Sequence, residues 1–382
     1  MKKVVLKTLV GLGFSLMLLL VTARGANAQW KVSSEDGKSF IKLGFLFQGQ
    51  VEFADNYTSP TRGILLKHQE AQNLYIRRFR ILGGGNITDK LSFFFETDSP
   101  NLGKYDAATG KKVEGNVYMQ DIFMTYSFRE EFKIDAGMLL VPLSHNSGQS
   151  AATLLPVDYG PYSFLSSAPT QSRVGRDYGV MARGYIAQHF EYRLGVFQGI
   201  KDIDAPDKRA AAPLRYMGRL VWYPMDIDTG FFYAGTTHGA KKVLAIGISA
   251  DVQNDYKAYG GDIYYDAPLG NGDVLTLQVD YIYYDGGKDF ATLYAQNDWL
   301  CEIGYYSKTT KLGFFSQIGV QDFVKRKFGD ENRYQVGLAY WGLGHRNNLK
   351  LGYTWIVKKQ PGLHNDEVYR DMYTLQWQVF MF

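Results

Sequence analysis

The sequence has a single cysteine, Cys301, in 382 residues. No disulfide can form within the chain, and a C-x-x-C-H haem attachment is excluded. Charge of one sign is also lacking. There are 42 Lys+Arg against 38 Asp+Glu, and four of the cations (Lys2, Lys3, Lys7 and Arg24) lie in residues 1–28, which hold no acid. Residues 29–382 thus carry 38 of each sign, which is not the basic surplus of a nucleic-acid binder. Beyond residue 28 no apolar run approaches the roughly 20 residues of a spanning helix. G-x-S-x-G, H-E-x-x-H and P-loop motifs are missing, and the six histidines have no metal-ligand spacing. His145, Ser147 and Asp158 could be drawn as a Ser/His/acid set, but their spacing does not demand it. No enzyme activity, metal or cofactor is expected.

What is present begins with export. A basic start, the apolar run Leu9 to Val21 and the small residues of Ala26-Asn27-Ala28 have the anatomy of a cleaved secretory signal, with the mature chain starting at Gln29. We therefore divide the chain into a signal peptide, 1–28, and one domain, 29–382. That domain is rich in Tyr (28), Phe (24) and Gly (41) yet mildly polar overall. Alternation reconciles the two. Ile41, Leu43, Phe45, Phe47, Val51 and Phe53 share one face of a strand, while Lys42, Gly44, Gln48, Gln50 and Glu52 share the other, with Leu46 the apolar intruder on the wet side. In a bilayer every backbone amide needs an internal partner, so strands must close into a barrel. A soluble all-β protein would use the same alternation.

Strands are expected at 40–53, 73–86, 91–98, 117–128, 132–140, 177–188, 190–199 and 214–223. The second half continues with 243–254, 257–266, 273–284, 297–307, 311–322, 332–341, 348–357 and 371–382. This is a closed antiparallel transmembrane β-barrel of about 16 strands, an even number, in the cell outer membrane. With the amino terminus periplasmic, odd-numbered connections should be long and external and even-numbered ones short. Most obey, but 224–242 is too long for a turn and 255–256 too short for a loop. The last strand alternates and ends Phe380-Met381-Phe382, resembling a barrel-insertion signal.

From Asn73 the sequence reads Asn-Leu-Tyr-Ile-Arg-Arg-Phe-Arg-Ile-Leu-Gly-Gly-Gly, and this doubled arginine, spacer, third arginine and glycine descent resembles the phosphate-selective porin O and P family. The blocks from Leu91, Gln120 and Ile134, and later Leu214-Arg-Tyr-Met-Gly-Arg-Leu-Val-Trp-Tyr-Pro, fit the same family. The resemblance is strongest over 40–225. It implies a homotrimeric 16-stranded porin in contact with outer-membrane lipid, whose long third loop folds inward. The connection 141–176 is the constriction candidate, with His145 and, at its end, Arg173 and Arg176. It departs from the family in one respect: between Val141 and Ser172 it has no Lys or Arg, so the family supports the fold better than a tight phosphate site, which needs several charge-assisted donors.

On the wet faces we expect eleven cations (Lys42, Arg78, Arg80, Lys133, Arg183, Arg193, Arg215, Arg219, Lys311, Arg333 and Lys350) against eight acids (Glu52, Glu96, Asp98, Asp121, Asp135, Glu191, Asp280 and Glu302). Arg78, Arg80, Lys133, Arg183, Arg193, Arg215 and Arg219 are the candidate pore-lining, anion-binding residues. The arginines could form a basic stripe faced by Glu96, Asp98 and Asp121. The competing reading is that they pair with neighbouring acids and brace the barrel. Arg77 points away from the lumen in this register. Tyr281, Trp299, Tyr305, Tyr334, Tyr340, Trp355, Tyr373 and Trp377 belong to lipid-facing girdles, with Cys301 a filler among them. The expected function is diffusion of small hydrophilic solutes with a mild to moderate preference for anions, phosphate among them. The alternatives are a barrel sheath for an extracytoplasmic electron carrier and an adhesin.

Overall fold

A two-residue period leaves each segment with one polar and one apolar edge, and only closure satisfies the backbone of all of them. The computed structural model describes residues 30–57, 68–106, 109–167, 174–200, 213–325, 328–359 and 367–382. The expected signal segment lies outside these residues. The wall consists of sixteen antiparallel strands. They are β1 (Phe40–Tyr57), β2 (His68–Asn86), β3 (Leu91–Asp98), β4 (Tyr118–Arg129), β5 (Phe132–Leu140), β6 (Arg176–Ile186), β7 (Phe190–Phe197) and β8 (Arg215–Trp222). The second half is β9 (Val243–Gln253), β10 (Tyr256–Pro268), β11 (Val274–Asp285), β12 (Gln296–Tyr306), β13 (Leu312–Phe323), β14 (Glu331–Tyr340), β15 (Asn347–Lys359) and β16 (Glu367–Met381). β16 returns to β1, with Gln376 opposite Gln50 and Gln378 opposite Gln48, so the sheet has no free edge. A short strand, Trp30–Ser33, folds back on the start of β1.

The solvent pattern is inverted relative to a soluble protein. Leu194, Leu220, Ile248, Ile263 and Leu338 are exposed on the outer wall, while Arg193, Arg219, Asp251, Gln376 and Gln378 are buried inside. Tyr281 faces Trp299, Tyr334 faces Trp355 and Tyr353 faces Tyr373 as direct outward cross-strand pairs. Cys301 lies on this outer face.

Both connections that broke the long-short rule are real. The link between β9 and β10 is a two-residue turn with Asn254 at φ 50°, a left-handed position that asparagine tolerates. The link between β8 and β9, residues 223–242, is long because it enters the barrel. Lys311, expected in the lumen, instead sits in the exposed turn before β13. A positive φ of 59° and a bond from its ammonium to the Gly342 carbonyl fix it there.

Candidate functional site

The third loop, residues 141–175, descends into the lumen and is buried over most of its described length. Its seats are apolar residues of the inner face. Leu46 and Leu82 pack against Ala151, Ala152, Leu154 and Tyr159. Phe315, Ala339 and Trp341 pack against Leu155 and Val157. Leu46, which broke the alternation of β1, is thus a docking position for the loop. The loop has little regular structure, so the wall supplies donors for its carbonyls. The Gln48 amide donates to Ala151 O (3.1 Å), Gln378 to Ala152 O (2.8 Å), Lys350 to Leu154 O and Pro156 O (2.5 and 2.8 Å) and Gln376 to Val157 O (3.0 Å). One helical turn, His145–Gly148, is capped by Ser144, whose side chain accepts from the Ser147 amide. Within it Asn146 donates to Gln149 Oε1 and Glu302 and accepts from the Gly160 amide and the Ser163 hydroxyl.

The connection 223–242 meets this loop from the other end of the barrel. Ser150 N donates to Tyr233 O (3.0 Å) and Tyr233 N to Gly148 O (2.8 Å), a short bridge across the lumen. His145 is sandwiched between the rings of Tyr233 and Tyr264, at centroid distances of 5.0 and 3.8 Å. Phe231 stacks on Phe123 and Phe232 packs on Phe94, so the connection reaches β3 and β4. In the other direction His238 stacks on His345 of the β14–β15 turn, at 4.3 Å. The sequence signalled this second element only by its excess length.

Four expected cations lie in one row. In Cα register Lys133 is opposite Arg183, Arg183 opposite Arg193 and Arg193 opposite Arg219, running from β5 to β8. Three of the four also hold the connection from 223–242. The guanidiniums of Arg183 and Arg193 lie over Phe231, Arg193 donates to Phe231 O (2.8 Å), and Arg219 Nε donates to the Tyr233 hydroxyl (3.1 Å). Each arginine has its own carboxylate: Arg183 with Asp135, Arg193 with Glu191, Arg219 with Asp262, and Arg215 with Asp251 and Asp177. Lys133 pairs with Glu130 beside the β4–β5 turn.

Glu96, Asp98 and Asp121 do not face the arginines from an opposing wall. Glu96 and Asp98 both bond Arg80 on the neighbouring strand, and Asp121 bonds Arg176. In a packed interior a lone charge is strongly disfavoured, and adjacent strands bring partners within reach, so these arginines and acids interleave rather than segregate. Arg173 lies outside the described residues.

Arg77 requires a correction. The pairing of β1 with β2 shifts between Gln48 and Gly49, so that Gln48 is opposite Arg78 and Gly49 opposite Ile76. Arg77 is the extra residue of a β-bulge, which breaks the alternation and lets consecutive arginines reach the same partner. Arg77 Nε and Arg78 Nη2 both bond Asp158 of the loop, at 2.7 and 2.5 Å. Neither Arg77 nor Asp158 stood out in the sequence as a lumen pair, although the doubled arginine was visible.

Comparisons with known proteins agree with this geometry. The phosphate-selective porin O and P family matches residues 65–291, more than half of the chain. Among solved structures, the anion-selective porin from Comamonas acidovorans is 12% identical over 90% of this chain and 100% of its own, at a TM-score of 0.50. OmpF of Salmonella typhi, in complex with daunomycin, is 13% identical over 92% and 100%, at 0.57. OprB of Pseudomonas putida, in its high-pH structure, is 9% identical over 89% and 94%, at 0.59. At these identities the likeness speaks for the fold alone, and no match was found among curated proteins. With a family match over most of its barrel, the chain belongs to the phosphate-selective porin O and P family of outer-membrane, non-enzymatic channels.

Proposed function

We propose that this porin passes small hydrophilic solutes through a constricted lumen with a mild anion preference. One observation carries the preference. At the loop, two carboxylates that keep some contact with solvent, Asp158 and Glu331, are each outnumbered two to one by the cations that bond them. Arg77 with Arg78 share Asp158, Arg333 with Lys358 share Glu331, and Lys104 pairs with Glu52. The basic row on β5–β8 contributes less, because its arginines are buried and neutralised. Anions therefore meet a weakly positive approach rather than a ladder of free arginines, and weak binding suits conduction.

A salt-gradient reversal potential in planar bilayers tests this reading. A value on the anion side supports it, and clear cation selectivity overturns it. The chain's own loop and connection inside the lumen favour this reading over a sheath for a partner.

Two finer points belong to the same proposal. The mature protein begins at Gln29, which an intact mass retaining residues 1–28 would refute. Three copies assemble through their outer walls, as the family resemblance implies, and a monomeric mass in mild detergent would remove that point while leaving the pore.

A further inference from the structure

Among the described arginine–carboxylate pairs, Asp158 is the carboxylate that comes from the third loop. It is also reached by water. Its side chain keeps 34% of its surface and that of Arg77 keeps 23%, whereas Arg176–Asp121, Arg193–Glu191 and Arg219–Asp262 keep 3% or less. Its stoichiometry is two guanidiniums to one carboxylate. The donors are preset by the wall: the bulge turns Arg77 inward, and Arg78 is braced by its bond to Gln48 Oε1 (2.8 Å) and lies 5.4 Å from the Tyr159 ring. The loop is held in turn by Gln317, which donates to Asp158 O, and the Tyr159 amide donates to Asp158 Oδ1.

Two converging guanidinium groups form a donor set suited to a small oxyanion, bonded by charge-assisted contacts. Here a carboxylate of the chain itself fills that position. We propose that Asp158 sets the ion selectivity of this pore, by occupying as a tethered anion the guanidinium pair that a diffusing oxyanion would otherwise hold. The inference rests on the porin reading above. Burial raises the pKa of Asp158, but Arg77 and Arg78 more than offset this and hold the carboxyl well below the usual range, so the tethered group stays charged. A short tether keeps its effective concentration at roughly millimolar or above, so passing anions compete poorly and are not trapped. One positive charge per site remains to attract them.

The test uses the mature protein purified from outer membranes and reconstituted in planar bilayers. Reversal potential is read across a KCl gradient, and chloride current is titrated with inorganic phosphate. Asp158→Asn is expected to move the potential further toward anions and to lower the phosphate concentration that halves the current by roughly tenfold. Arg77→Gln, which balances one guanidinium against one carboxylate, is expected to move the potential toward cations. The Arg77→Gln/Asp158→Asn double variant is expected to return close to the parent. An Asp158→Asn pore that conducts with the parent's potential and phosphate response would overturn the inference. If that variant fails to fold, an Arg77→Gln pore with the parent's potential overturns it equally. Folded parent protein without any conductance would instead sink the porin reading on which the inference stands.

Discussion

Arg219 of β8 and Asp262 of β10 grip each other across the whole width of β9, with Nη1–Oδ2 at 2.6 Å and Nη2–Oδ1 at 2.9 Å. The gap between them exists because residue 247 of β9 is glycine. A Cβ there would sit 2.6 Å from Arg219 Nη2 and 2.7 Å from Asp262 Oδ1. Both side chains are fully buried, so the pair is a brace that also carries Tyr233.

Gly247→Ala is accordingly expected to destabilise the barrel by about 1–3 kcal/mol through overpacking. Asp262→Asn, which leaves a buried guanidinium uncompensated, should lose about 3–5 kcal/mol. Denaturant titration of the detergent-solubilised barrel measures both. Equal midpoints for Gly247→Ala and the parent would mean that the pair tolerates separation and braces nothing.

The bridge between the loop and the connection is expected to limit conductance. A Cβ on Gly148 would lie 2.4 Å from the Tyr233 ring, against which the bridge is built. Gly148→Val should therefore push the two segments apart and raise single-channel conductance, while the wall strands, which do not depend on the contact, stay folded. Unchanged conductance in a folded Gly148→Val protein would show that permeation runs elsewhere.

The contact between the two connections at one end of the barrel should be acid-sensitive. Burial, reinforced for His238 by His345 and then by Lys350, lowers the pKa of His238 to about 2. Burial also lowers His345 to about 4, against the bond that its Nε2–H donates to Thr236 O. Both folded values lie below the ordinary 6.5, so the released chain binds protons first as pH falls. The contribution of this contact is complete above about pH 6.5 and is lost as pH falls, through about 4 for His345 and on toward about 2 for His238. Thermal midpoints of the barrel should fall over that window, and His345→Gln should flatten the fall. An equally steep fall in His345→Gln would assign the acid sensitivity to other groups.

The sequence alone determined the wall. A period of two cannot slip by one residue without exposing every polar side chain to lipid, so the strands from Phe40 to Met381, their number and their order were legible from alternation and turn spacing. The breaks in that pattern were legible too, as positions rather than meanings: Leu46 on a wet face, a doubled arginine at Arg77, an overlong connection at 224–242. Tertiary structure alone decided what those breaks do. A bulge has no sequence period, so only the register of Gln48 with Arg78 shows that Arg77 turns inward. Charges in a filled interior choose partners by distance, not by which wall they occupy, so Arg80 took Glu96 and Asp98, and these acids do not form a face opposite the arginines. The loop's path was likewise beyond reach, because residues 141–175 satisfy their carbonyls with donors from Gln48 to Gln378, brought together only when the barrel closes.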